Sequence, residues 1–234
     1  YVGANAWFVI VGDASPREAR RIAEKTIGRL PAGEAAPTLA PVAAFSAASK
    51  KQISFPATQT HVLIGEPGTW RGDPDYFPPY VGNYILGGGG LVSRLAEEVR
   101  EKNGLSYSVY SYFYPLRVPG PLVIGLQTKN ATRDRALAIA RKVVSDFVAK
   151  GPTPQELDAA KKHITGGFPL RIDSNKKILE YLSLIGFYNL PLDYLDTWVD
   201  KVNAVDVAAV KRAFARHIDP DKLVTVVVGG GSAR

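Results

Sequence analysis

Arg100 and Tyr107 stand seven residues apart across a glycine, in the run Val99-Arg100-Glu101-Lys102-Asn103-Gly104-Leu105-Ser106-Tyr107. A guanidinium is a permanently charged planar donor and a phenol a neutral one. Aimed at one point, the two suit a carbonyl oxygen that is polarised, or becomes an oxyanion, during acyl chemistry. The spacing predicts a helix from Leu91 to Lys102 that carries Arg100 in its last turn. Gly104 then supplies a left-handed cap, and Tyr107 lies on the strand that follows. Each residue also has a plainer reading. Arg100 can simply offset the carbonyl end of the helix dipole, worth ~0.3–1 kcal/mol. Tyr107 falls on the apolar face of its strand and reads equally as a core tyrosine with its hydroxyl at the edge.

Upstream lie Leu86-Gly87-Gly88-Gly89-Gly90 and Ser93-Arg94-Leu95. Four glycines suggest a phosphate cradle, but a P-loop ends in Gly-Lys-Ser/Thr and this run continues into Leu91-Val92-Ser93. A dinucleotide fingerprint fails as well, because the glycines follow a helical pattern instead of a strand. The remaining reading is that they end one helix, begin the next and let two backbones approach closely.

Taken together, the Leu-Gly-Gly-Gly run, the Ser-Arg-Leu step and the Arg-Glu-Lys-x-Gly-Leu-x-Tyr run resemble the non-catalytic half of the pitrilysin/insulinase and mitochondrial processing peptidase family of zinc endopeptidases. The similarity extends to Val9-Ile10-Val11-Gly12-Asp13 with Pro16, to Thr153-Pro154-Gln155-Glu156-Leu157 with Ala160-Lys161, and to Val224 through Gly229. The resemblance implies a single peptidase-like inactive domain over residues 1–234, acting as a C-terminal half or a partner subunit. It implies a partner half bearing H-x-x-E-H, with zinc on that half and a chamber between the two. Arg100 and Tyr107 are then assigned to peptide substrate, and Gly87, Gly88, Gly89 and Gly90 to a possible substrate loop. Likeness to paired bacterial members points to the bacterial periplasm, with the cytoplasm as the alternative. A competing expectation is a structural or assembly subunit that keeps the fold without proteolysis, as in the core subunits of a respiratory complex.

The rest of the composition narrows the chemistry. The chain has three histidines, His61, His163 and His217, and no cysteine. No second histidine lies three or four residues from any of them, so local spacing builds no zinc site, and alone the chain is expected not to hydrolyse peptides. Without cysteine there are no disulfides, thiol nucleophiles or thiolate ligands, which leaves the compartment open. The 46% hydrophobic content is that of an ordinary globular protein, and no apolar run is long enough to span a membrane. The chain starts at Tyr1 and reads as a fragment whose beginning has been removed. A net charge of +7 invites a nucleic-acid reading. However, Arg17, Arg20, Arg21 and Lys25, like Lys211, Arg212 and Arg216, alternate with the apolar face of a helix and form solvated faces. The tyrosines at 110, 112 and 114 follow strand alternation without interleaved cations. An acidic partner surface or peptide suits the charge better.

The elements that must position Arg100 and Tyr107 follow from periodicity. Ala6 to Val11 reads as a strand. Ser15-Pro16-Arg17-Glu18 is a capping box with Pro at the first helical position, opening a helix to about Leu30. Residues 31–49 have no period and form a surface connector. Residues 52–65 are extended, with Ile53, Phe55, Val62 and Ile64 as candidate core, and 73–86 are helical. Leu105, Tyr107, Val109 and Phe113 face one side of a strand and Tyr110, Tyr112 and Tyr114 the other. Pro119-Gly120 turns that strand into one marked by Leu122, Ile124 and Leu126. Helical stripes follow at Leu137, Ala140, Val144 and Phe147, and at Leu157, Ala160, Ile164 and Phe168. Thr153 to Glu156 repeats the capping box, and Pro169 ends its helix. Helices are expected over 175–188 and 203–217, and 223–228 is a strand for the middle of a sheet. This order gives an α+β two-layer sandwich, mainly antiparallel, with helices on one face of the sheet.

Overall fold

The computed structural model describes residues 1–230 and is α+β, as the order of elements predicts. In chain order the helices and strands are α1 (Pro16–Lys25), β1 (Ser49–Ile53), β2 (Gln59–Pro67), α2 (Phe77–Asn83), β3 (Ser106–Phe113), β4 (Pro121–Lys129), α3 (Arg133–Lys150), α4 (Pro154–Gly166), α5 (Asn175–Tyr188), α6 (Trp198–Asn203), α7 (Val207–His217) and β5 (Val224–Val228). The chain divides into two compact units, Tyr1–Ala40 with Thr165–Asp200 and Pro41–Ile164 with Lys201–Arg234.

The second unit carries the sheet, in the order β1-β5-β2-β4-β3. Only the β1–β5 pair is parallel. β5, the continuous apolar run, lies between β1 and β2, where both of its edges are paired. On β2 the side chains of Thr60, Val62, Ile64 and Glu66 turn inward, while His61 and Leu63 face solvent. Leu122, Ile124 and Leu126 of β4 point the same way as Val62 and Ile64. Against them pack Val143, Val144 and Phe147 of α3 and Val210, Ala213 and Phe214 of α7, with Phe147 and Phe214 in edge contact at 4.7 Å. At ~1.5–3 kcal/mol for each fully buried large side chain, this one-sided core dominates the stability of the unit. The outer strand β1 is exposed throughout, and Lys50 and Lys51 on it discourage further strand pairing.

The first unit holds α1, α5 and the segment between α4 and α6. Ser15 caps α1 in a full capping box with Glu18, and the helix stops at Thr26, short of Leu30, before a 3-10 turn at Ile27–Arg29. Phe168 stacks on Trp198 at 4.3 Å.

Several expectations are corrected. Residues 6–11 form no strand, because no described strand runs beside them and an extended segment without a partner makes no ladder. Of the four candidate core positions, Val62 and Ile64 are buried, but Ile53 and Phe55 are exposed at the open edge. The helix expected over 203–217 starts only at Val207, as α7, because Asp206 accepts from Ala209 N–H and caps it there, while Asn203 ends the preceding α6. The helix predicted from Leu91 begins only after Ser93, since Gly90–Val92 is a separate 3-10 turn. The stripes on α3 and α4, the Thr153 capping box and the 175–188 helix match their expected positions.

Candidate functional site

An open cleft of about 490 Å³ lies beside β3, and Arg100, Tyr107 and the glycine loop all line it. Two widened helical turns form its frame. α2, entered through Pro78 and Pro79, runs into a π turn at Tyr84–Gly88, and the helix after Ser93 becomes a π turn at Ala96–Glu101. Such turns are rare and concentrate at functional sites. Nothing in the residue pattern announced them, because a single extra residue per turn leaves the apolar period almost unchanged.

The Ser-Arg-Leu step anchors the second of these turns. Ser93 is fully buried, donates to Gly90 O at 2.6 Å and accepts from Ala96 N–H, so it closes the 3-10 turn and starts the helix together. Arg94 grips Glu156 with two hydrogen bonds of 2.6 and 2.7 Å, donates to Gly151 O and lies over the Phe147 ring. Those bonds, with help from Thr153, push the Glu156 carboxyl down to about 2. Leu95 is fully buried. The helix bearing Arg100 is thereby clamped to the α3–α4 corner.

Its far end is closed by Gly104, which has φ +60°, a conformation that favours glycine. The N–H groups of Gly104 and Leu105 return to the carbonyls of Arg100 and Val99 at 2.8 and 2.9 Å. Arg100 therefore sits in the last turn, as expected. The chain enters β3 with a break in register between Ser106 and Val109, and this bulge decides where Tyr107 points. Strict alternation would bury Tyr107 beside Val109; instead Tyr107 is 86% exposed and Val109 is buried. Re-aiming one side chain is what a bulge does. The core-tyrosine reading is therefore overturned.

The two residues are in contact. The Arg100 guanidinium lies 4.8 Å from the Tyr107 ring centre and donates to the Tyr107 carbonyl at 3.3 Å, while Glu101 holds its Nε at 3.1 Å. Two of its five donors are used in this way. Glu97 and Glu98 are occupied by Lys102.

The glycine loop has a steric reason. A Cβ on Gly87 would stand 2.5 Å from the Ser111 backbone nitrogen, so the π turn can lie against β3 only because this residue has no side chain. Asn83 secures the same contact, donating to Ser111 O and accepting from the Ser111 hydroxyl. Sequence reasoning passed over Asn83, Tyr110 and Tyr112 as parts of the cleft, though all three line it. The tyrosine alternation was the available signal.

None of the histidines approaches another. His61 pairs with Gln127 on the open sheet face, His163 stacks on Tyr84, and His217 is buried against Asp73 at 3.3 Å. Among the described residues no group of three His, Cys, Asp or Glu is placed to hold a metal ion. No described helix is long and apolar enough to cross a membrane.

The family model for the peptidase M16 inactive domain matches residues 1–164, and the chain belongs to that family. It is 30% identical over 181 residues to a protein of Helicobacter pylori named non-peptidase homolog YmxG, covering 77% of this chain and 42% of that protein. It is 31% identical over 157 residues to an uncharacterized zinc protease of Streptomyces coelicolor, covering 66% of this chain and 34% of the other. A crystal structure of a peptidase M16 inactive domain from Pseudomonas fluorescens superposes with a TM-score of 0.88 at 39% identity, over 95% of this chain and 53% of that one. The chain thus spans less than half the length of these two curated relatives.

Proposed function

We propose that this chain is the substrate-binding, zinc-free half of a zinc metalloendopeptidase, completed by a half that bears H-x-x-E-H on the same or a partner polypeptide. The observation that carries the reading is the meeting of Arg100 and Tyr107 at one cleft, through a capped π turn on one side and a bulge on the other. Metal chemistry belongs to the partner half. This half contributes two donors, held by the framework before substrate arrives, that hydrogen-bond the carbonyl of a bound peptide. They accelerate turnover to the extent that they bind the developing oxyanion more strongly than the ground-state carbonyl.

The test is peptide turnover by the two halves assembled together. Tyr107→Phe and Arg100→Ala are each expected to lower kcat by about 10²-fold, the scale for one preorganised oxyanion donor. Full activity for both Tyr107→Phe and Arg100→Lys in an intact complex would overturn the reading. A second reading, a structural or assembly subunit with no proteolytic role, is favoured by the relative named a non-peptidase homolog. It predicts stable association without any turnover that depends on either residue.

A further inference from the structure

Tyr110 and Tyr112 have no part in the reading above, yet both line the same cleft. They occupy alternate positions on β3, opposite Gly125 and Val123 of β4, and their rings are stacked 5.9 Å apart at 12°. The arrangement depends on Gly125. A Cβ there would lie 2.4–2.8 Å from atoms of the Tyr110 ring, so the ring lies across β4 in space that any other residue would fill. The pair has neither sunk into the core nor been covered, since Tyr110 is 40% and Tyr112 42% exposed. Leu91, 58% exposed, adds an apolar group to the same lining. A flat aromatic surface half open to water, with Tyr107 three residues earlier on the same strand and Arg100 against it, is suited to one kind of group. That group is a bulky apolar or aromatic side chain a few residues from the bound carbonyl of an extended peptide, because an extended peptide advances ~3.3 Å per residue, as the strand beside it does.

We infer that Tyr110 and Tyr112 form a side-chain subsite that selects peptides carrying a large apolar or aromatic residue near the carbonyl held by Arg100 and Tyr107. The inference rests on the proposed substrate role of that pair and adds the class of substrate. The rings stack with the guest side chain and shed water.

The experiment titrates the 234-residue chain with blocked octapeptides of Ser and Ala carrying a single guest residue, followed by amide chemical-shift changes at millimolar peptide. Phe and Leu guests are expected to bind about 5- to 10-fold more tightly than Ala. The guest series on the unchanged chain tests the subsite without any substitution. Tyr110→Ser and Tyr112→Ser are expected to bring the Phe-to-Ala ratio towards one, whereas Tyr114→Ala, one position beyond the lining, keeps it. Arg100→Ala weakens all guests alike, and that uniform loss reports on the carbonyl-binding reading alone. Equal binding of Phe and Ala guests by the unchanged chain, or a preference that survives both tyrosine changes, overturns the subsite while leaving the Arg100 reading intact. No shift with any peptide overturns both.

Discussion

Replacing Glu66 by Gln should stabilise this protein above neutral pH and do nothing in mild acid. Glu66 is the last inward-facing residue of β2 and only 8% exposed. One carboxylate oxygen accepts the Asp219 N–H at 2.9 Å. Burial is the main influence on it and raises the carboxyl to about 7; the nearby Asp219 charge adds to this, and the Asp219 N–H and Lys222 oppose it. Between the ordinary value of 4.5 and about 7 the folded chain holds a proton that the unfolded chain has released. Stability therefore falls as pH rises through this window and levels off above it. At ~1.4 kcal/mol per tenfold, the full difference comes to roughly 3 kcal/mol, and about 2 kcal/mol is expected once screening by Lys222 and solvent is allowed for. Gln keeps the acceptor for Asp219 and carries no charge at any pH. Urea denaturation of both proteins at pH 5, 6, 7 and 8 gives the difference directly. His217, which burial pushes to lower values, is common to both and cancels from it. A difference near zero at pH 5 that grows by about 2 kcal/mol by pH 8 is the expected result. A difference that stays constant across the range would refute the assignment.

Three further outcomes test the framework of the cleft. Arg94→Ala removes a bidentate partner from a carboxylate that is 31% exposed and should cost about 2–3 kcal/mol by chemical denaturation. Because Glu156 is held down at about 2, its contribution is present above 4.5 and is lost as pH falls through that interval, so Glu156→Gln should flatten the acid limb of the stability curve. Gly87→Ala drives a methyl against the Ser111 backbone and should cost about 1–3 kcal/mol, with amide shifts confined mainly to β3 and the 84–101 segment on NMR.

Most of the fold was legible because its signals are local. The capping boxes at Ser15 and Thr153, the apolar stripes of α3 and α4 and the Pro119-Gly120 turn each act within a few residues, and each is where the pattern placed it. The failures lie where local pattern and tertiary context disagree. The 6–11 run has the composition of a strand but no neighbour to pair with, and Ile53 and Phe55 are apolar residues at an open sheet edge. Of the candidate site, the residue types and the cap were readable; the aim of Tyr107 was not. A bulge inserts its extra residue without a change in composition, so alternation sent Tyr107 to the wrong face.

Arg94 and Arg100 stand on one helix and are held very differently. Arg94 is half-buried over Phe147 with three hydrogen bonds, so its removal leaves Glu156 without its partner and the stability loss is large. Arg100 meets an 86% exposed tyrosine and an exposed glutamate, contacts that in water contribute at most ~0.5–1 kcal/mol each. The protein nevertheless uses a buried cap at Ser93, a glycine at 104 and a bulge at 107 to bring Arg100 and Tyr107 together. On the proposed reading, that positioning serves the bound peptide and not the stability of the chain. Arg100→Ala and Tyr107→Phe should accordingly leave the urea midpoint within the range of ordinary surface substitutions, about ±0.5 kcal/mol, while peptide binding falls. If either change destabilises the chain as much as Arg94→Ala does, the pair belongs to the framework and the cleft needs another explanation.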